Sequence, residues 1–200
     1  MLKSRWNFRL RFVKFQNIGR IAAGRFKAAS TIVVVTESDP GGSGSVTLDL
    51  DVAAIALDNV GAFHARWISQ QKQADGAFVG RKAGRLHVHL VELKTTVGIG
   101  TWRKALKQYD GVLLDMLAFL GVLSAGRPAR VFIHIAYQVD AITPSTTASP
   151  VALKVGLGTG TLVANDCGWS AGVARVLDFE APVNKIVRNL VGNARTSVTV

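Results

Sequence analysis

Three residues near the middle of the chain, Asp75, Glu92 and Lys94, have the types and spacing that suit chemistry on a phosphate. Glu92 and Lys94 stand two apart in "RLHVHLVELKTT" (85–96), an apolar run with the pattern of a buried strand. That spacing puts both side chains on one strand face, about 7 Å apart. Asp75 opens the preceding run, "ADGAFVG", and the tight basic turn "RKAG" (81–84) is expected to fold the two runs into a hairpin. Antiparallel pairing across that turn brings Asp75 to the end of the sheet that carries Glu92 and Lys94.

Two carboxylates and a backbone carbonyl, such as that of Leu93, are oxygen ligands suited to Mg²⁺ or Mn²⁺; Mg²⁺ takes few protein carboxylates and keeps several waters. Such an ion lowers the pKa of a bound water and neutralises charge developing on a phosphate. A neighbouring ammonium, Lys94, orients that water or steadies the phosphorus centre. The plainer alternative is a surface ion pair between Glu92 and Lys94, worth ~0–1 kcal/mol. It accounts for those two residues and leaves Asp75 unused.

Asp75, a gap of sixteen residues, then Glu92-Leu93-Lys94 on an apolar strand, followed by a long helical segment with Lys104, Lys107 and Gln108, resembles the PD-(D/E)xK nuclease superfamily. The resemblance spans Asp75 to Gln108, and "VFIHIAYQ" (131–138) fits the strand expected after the helix. It implies a metal-dependent phosphodiesterase with a restriction-endonuclease-like core, a sheet flanked by helices. Asp75, Glu92 and the Leu93 carbonyl would be the Mg²⁺ or Mn²⁺ ligands, Lys94 the catalytic lysine, and Lys104, Lys107 and Gln108 supporting residues. An acid from an earlier segment often completes such a site, and Asp51 or Asp58 is the candidate. Ala74 stands before Asp75 where the motif's name has proline, and the helical segment lacks a Gln-x-x-x-Tyr match, so no subfamily follows.

The elements that must position these residues are legible as patterns. Arg5–Phe12 alternates strictly, with Trp6, Phe8, Leu10 and Phe12 on one side and Arg5, Asn7, Arg9 and Arg11 on the other, which predicts a half-buried strand with a basic outer face. "STIVVVTES" (30–38) predicts a second strand, closed by the turn-rich "DPGGSGS". From Val46 to Ile68 a short strand leads into a helix or a further strand. Thr101 is expected to cap a long helix, with Trp102, Ala105, Leu106, Tyr109, Leu113, Met116, Leu117 and Leu120 at helical spacing, ending by Gly126 and Pro128. "ARVFIHIAYQV" (129–139) predicts a buried strand, "VALKVGLGTGTLVA" (151–164) a glycine-weakened strand or hairpin, and "NKIVRNLVG" (184–192) a short amphipathic helix. The expected fold is a single α/β (α+β) domain over 1–200 around a central mixed sheet. It divides into basic amino-terminal strands (1–45), the candidate nuclease core (46–140) and carboxy-terminal strands and helix (141–200).

The net charge is +11, from 24 Lys and Arg against 13 Asp and Glu, which is the footprint of a protein that meets polyanions. Eight of the basic residues precede Glu37, the first acid. Nucleic acid is therefore the expected partner, contacted by Arg5, Arg9, Arg11, Lys14, Arg81, Lys82 and Arg85, with a regulatory protein or a second copy of the chain as a further partner. The apolar run Val112–Leu123 carries Asp115 and is far shorter than the roughly 20 residues a membrane span needs, so no membrane is expected. No secretory signal is read at the amino terminus, and one cysteine, Cys167, fits a reducing compartment, the cytoplasm.

Other reactive side chains carry less. His87 and His89 share the strand face opposite Glu92 and form a ligand pair without a third partner at a known spacing. His64 and His134 stand by themselves, Cys167 has no identified base, and "GLGTG" (156–160) lacks the Lys-Ser/Thr ending of a phosphate cradle. The function expected is a metal-dependent nuclease acting on DNA or RNA, in phage defence or mobile-element biology. The alternatives are a non-catalytic basic nucleic-acid-binding or assembly protein and, below it, a structural subunit.

Overall fold

The register of the site is set by one turn. Ala83 and Gly84 both take positive φ, 48° and 79°, the pairing of left-handed residues whose twist matches that of two antiparallel strands. The computed structural model describes residues 30–36, 44–57, 74–122, 124–143, 167–189 and 191–198. Within these the order is β1 (Ser30–Thr36), β2 (Ser45–Leu57), β3 (Gly76–Lys82), β4 (Arg85–Val97), α1 (Ile99–Val122), β5 (Arg130–Asp140), β6 (Val173–Val176), β7 (Phe179–Val187) and β8 (Asn193–Val198). The strands run β1-β2-β3-β4-β5-β7-β6 across the sheet, with β8 beside β2.

Strands β2, β3 and β4 form an antiparallel meander. Helix α1 then returns the chain so that β5 lies parallel to β4, and β7 lies parallel to β5. The helix buries Trp102, Ala105, Tyr109, Val112, Leu113, Met116 and Leu120 against Val88, Leu90, Val131, Ile133 and Ile135. These are alternate positions of β4 and β5, as a period of two demands.

The other face has its own apolar core, because β2 does not run straight. Ser30 pairs with Ala54 but Ile32 pairs with Asp49, so extra residues of β2 crowd between those two rungs. Such a bulge bends a strand. The first half of β2, with β1, packs Val33, Val35, Val46, Leu48 and Leu50 onto Phe78, Val91, Leu93, Ala136 and Ile186. Gly76 is where this layer comes closest: a Cβ there would stand 2.8 Å from the Val35 methyls.

The described residues thus form one mixed α/β (α+β) unit, and the hairpin, the long helix and the strand after it stand where the sequence predicts them. Several expectations change. The helix begins at Ile99, and the Trp102 amide donates to the Gly98 carbonyl, so Thr101 lies inside the first turn and does not cap it. Residues 46–57 are one unbroken strand.

The predicted closing helix over 184–192 is instead the end of β7 and the turn into β8, so the described part of 141–200 contributes strands and no helix. Pairing with β5 decides this. The rungs Ile133–Val183 to Tyr137–Val187 hold the segment extended and bury Val183 on one face and Ile186 on the other. Arg5–Phe12 and residues 151–164 lie outside the described residues. No described helix is long and apolar enough to cross a membrane.

Candidate active site

Strand β3 begins at Gly76, paired with Val91, while β4 runs on to Val97. One rung beyond that pair, Asp75 faces Glu92, and side chains take over where the backbone ladder stops. The Asp75 amide donates to Glu92 Oε2 (3.1 Å), and the Leu93 amide donates to Asp75 Oδ2 (2.7 Å). This reciprocal clamp fixes both carboxylates. The amide and carbonyl of a strand residue share one edge, so the Leu93 carbonyl lies on the same side as the Asp75 carboxylate. Lys94 makes an ion pair with Glu92 Oε1. The three residues singled out by their spacing are therefore brought together.

Burial gives the trio its electrostatics. Glu92 is 0% exposed, whereas the Lys94 side chain keeps 16% of its surface in contact with solvent. Burial first, and the adjacent Asp75 charge second, push the Glu92 carboxyl up to about 8, against the attraction of Lys94 and its hydrogen bond. Tyr109 of α1 lies buried beneath the pair and donates its hydroxyl to the His134 carbonyl at 2.9 Å. Its hydroxyl is raised well above the usual tyrosine range by burial, then by the Glu92 and Asp75 charges.

Two acids on one edge, one of them inclined to keep a proton, are a donor set that a divalent cation would relieve. The residues fit Mg²⁺ or Mn²⁺: Asp75, Glu92 and the Leu93 carbonyl are hard oxygen donors, and water would complete the shell. Among the described residues no group of three or more His, Cys, Asp or Glu gathers around a common point.

No protein-family model matches the chain, and comparison with curated proteins and with solved structures finds no match either.

Asp51 does not complete the carboxylate pair. It binds Lys82 (2.8 Å) at the turn end of β3, about 20 Å from Asp75 along the strand. Asp58 lies outside the described residues, as do Arg5, Arg9, Arg11, Lys14 and His64. Arg81, whose Nε donates to the Gly84 carbonyl, stands with Lys82 and Arg85 at that far end too, so the basic turn is not adjacent to the trio. Lys104 and Lys107 are exposed on α1, and Gln108 is half-buried next to Tyr109.

Two residues were missed by sequence reasoning. Tyr109 was legible as a core position of the helix, and nothing in its spacing pointed to the acids above it. Lys185 falls in the segment 184–192, whose spacing predicts a helix. On β7 it shares a row of rungs with Ile135 and Glu92, on the same sheet face and roughly 10 Å from Glu92, with its ammonium 4.3 Å over the Trp169 ring. The apolar alternation of β7 was its signal, blurred by Lys185 and Arg188 at near-helical spacing.

Proposed function

We propose that the chain is a metal-dependent nuclease hydrolysing phosphodiester bonds in DNA or RNA, working in the cytoplasm as an effector in defence or mobile-element biology. The observation that carries this reading is the clamp in which Asp75 and Glu92 hold each other through backbone amides beside the Lys94 ammonium. A surface ion pair needs no second acid and no burial. The order of hairpin, helix and parallel strand supports the resemblance to PD-(D/E)xK nucleases, as does the charge of +11.

Asp75, Glu92 and the Leu93 carbonyl are the groups that would hold Mg²⁺ or Mn²⁺, which when bound supplies an ionised water and neutralises phosphate charge. The clamp presets the two carboxylates, so little side-chain freedom is lost when they act together. Lys94, ion-paired with Glu92 and partly open to solvent, would hydrogen-bond a phosphate oxygen or the attacking water, and its charge keeps the developing anion close. Lys185, on the same face, offers a second cation for a phosphate of the strand. A protein partner or a second copy of the chain would gate the activity.

The Glu92–Lys94 ion pair favours a second reading, a non-catalytic nucleic-acid-binding protein in which that contact is structural. One assay separates the two. Labelled single- and double-stranded DNA and RNA are incubated with the folded protein in Mg²⁺ or Mn²⁺ and in chelator, beside Glu92→Ala and Lys94→Ala. Cleavage is expected with metal and a loss of about 10²-fold or more in each variant. Cleavage that survives both substitutions, or a folded wild type that binds and never cuts, would leave the binding reading standing.

A further inference from the structure

The face of β4 turned away from α1 carries a second set of polar groups that the carboxylate site does not use. His89 is fully buried with its ring between Phe78 and Phe132, stacked on both at centroid distances of 4.5 and 4.7 Å. Its Nδ1 lies 2.9 Å from Nε2 of the buried His134, whose Nδ1 is 3.4 Å from the exposed Asn184 amide. At the other end of this chain, His89 Nε2 is buried with no hydrogen-bond partner, and so is Nδ1 of His87, two residues away on the same face.

The direction of the His89 ring relates these two nitrogens. Its flat faces look toward β3 and β5, because Phe78 and Phe132 are its neighbours in register. Its edges therefore point along the strand. The Nδ1 edge faces His134, which pairs with Val91, so the opposite edge, with Nε2, faces His87. Two buried, unpartnered imidazole nitrogens on one strand face, one aimed at the other's residue, are costly unless something joins them.

An acid stands near them. Asp51 lies in the bulged part of β2, between the Asp49 and Ala54 rungs, where it pairs with Lys82; its charge favours the protonated form of both His87 and His89, and at His87 the Arg130, Lys82 and Arg85 charges each oppose it more strongly. Burial first, then the nearby cations at His87 and the adjacent histidines at His89, keep both rings neutral, with the His89 imidazole pushed down to about 2, which leaves nitrogen lone pairs available at neutral pH. The hydrogen-bond chain can run in either direction. When the Asn184 carboxamide turns its oxygen to His134, His134 Nε2 accepts from His89 Nδ1–H and His89 Nε2 is a bare lone pair. This is the arrangement in which a ligating histidine is oriented by an acceptor on its other nitrogen.

We propose that His87 and His89 form a second cation site, specific for a borderline transition ion such as Zn²⁺, with His134 and Asn184 orienting the His89 ring. Water fills the remaining positions, since no third His, Cys, Asp or Glu is gathered there among the described residues. Imidazole nitrogen suits zinc, copper and nickel and is a poor ligand for Mg²⁺. The two sites, on opposite faces of β4, thus select different ions. The inference stands apart from the nuclease reading, because it uses none of the same side chains.

The test titrates the full-length protein, in excess Mg²⁺, with Zn²⁺ against a chromophoric chelator, and repeats it with Co²⁺ followed by its visible absorption. About one equivalent is expected to bind. His87, half-exposed, can be removed without opening the core: His87→Ala should keep the wild-type circular dichroism and weaken Zn²⁺ binding at least tenfold. An Asp75→Asn/Glu92→Gln double variant should bind Zn²⁺ as the wild type does. No saturable binding by the wild type, unchanged affinity in His87→Ala, or loss of binding in the carboxylate variant would each overturn the site.

Discussion

On the helix face of β4, Glu92 is buried beside Asp75 and holds its proton to about pH 8; on the opposite face His89 is equally buried between Phe78 and Phe132 and gives its proton up. Both shifts have burial as their first cause, and both move the group toward neutrality. The difference lies in the neighbours. Glu92 has a like charge on one side and an ammonium on the other, at a place where the meander's ladder stops and solvent reaches Lys94. His89 has another neutral imidazole and two aromatic rings, in a layer closed by the bent half of β2. A strand alternating every residue presents one neighbourhood in which charged groups are paired and another in which the imidazoles are kept neutral.

The largest effect expected from disturbing this comparison is in the walls. Phe78→Ala on the histidine face and Trp102→Ala on the helix face should each cost about 3–5 kcal/mol in urea unfolding, since both are fully buried. A loss under about 1 kcal/mol in either would mean that that face is not a packed core.

The pH dependence of stability comes next, and its two arms belong to different faces. His89 and His134 have folded values near 2 and 3 against 6.5 when unfolded, so the stability tied to their neutral rings is present above pH 6.5 and lost as pH falls. Glu92 has a folded value near 8 against 4.5, so its contribution is present below pH 4.5 and lost as pH rises toward 8. The melting temperature should therefore decline at both ends. Glu92→Gln should flatten the alkaline arm by several degrees and leave the acid arm in place, and added Mg²⁺ should flatten the same arm in the wild type. An alkaline arm unchanged by Glu92→Gln would refute this account of the buried acid.

The smallest effect tests the link between α1 and the strand under both sites. Tyr109→Phe removes the donor to the His134 carbonyl and should cost about 1–2 kcal/mol in the same unfolding assay. A neutral result would mean that water replaces the hydroxyl at that carbonyl.

Much of the candidate site was legible in the chain. The RKAG turn, the alternation of 85–94 and the position of Asp75 predicted a cross-strand trio, and the register bears that out. The long helix and the strand after it were legible from the 3.6-residue period and a continuous apolar run. What failed failed for identifiable reasons. Residues 184–192 carry a weak helical period, and pairing with β5 overrode it. Asp51 was a plausible third acid by its place in the sequence, yet the bulge in β2 sets it beside Lys82 and near the histidines. The partners of His89 and His134 were invisible, because His134 lies 45 residues from His89 and Asn184 lies 50 residues from His134.

The sequence by itself determined which residues share a strand face, since a period of two needs no knowledge of the partner strand: Glu92 and Lys94 on one side, His87 and His89 on the other. It also determined the excess of positive charge and the turn that pairs Asp75 with Glu92. Tertiary structure decided what each face means. Desolvation and neighbouring charge depend on what packs above a side chain, and both the α1 cover over Glu92 and the bend of β2 over His89 come from contacts between segments far apart in the chain.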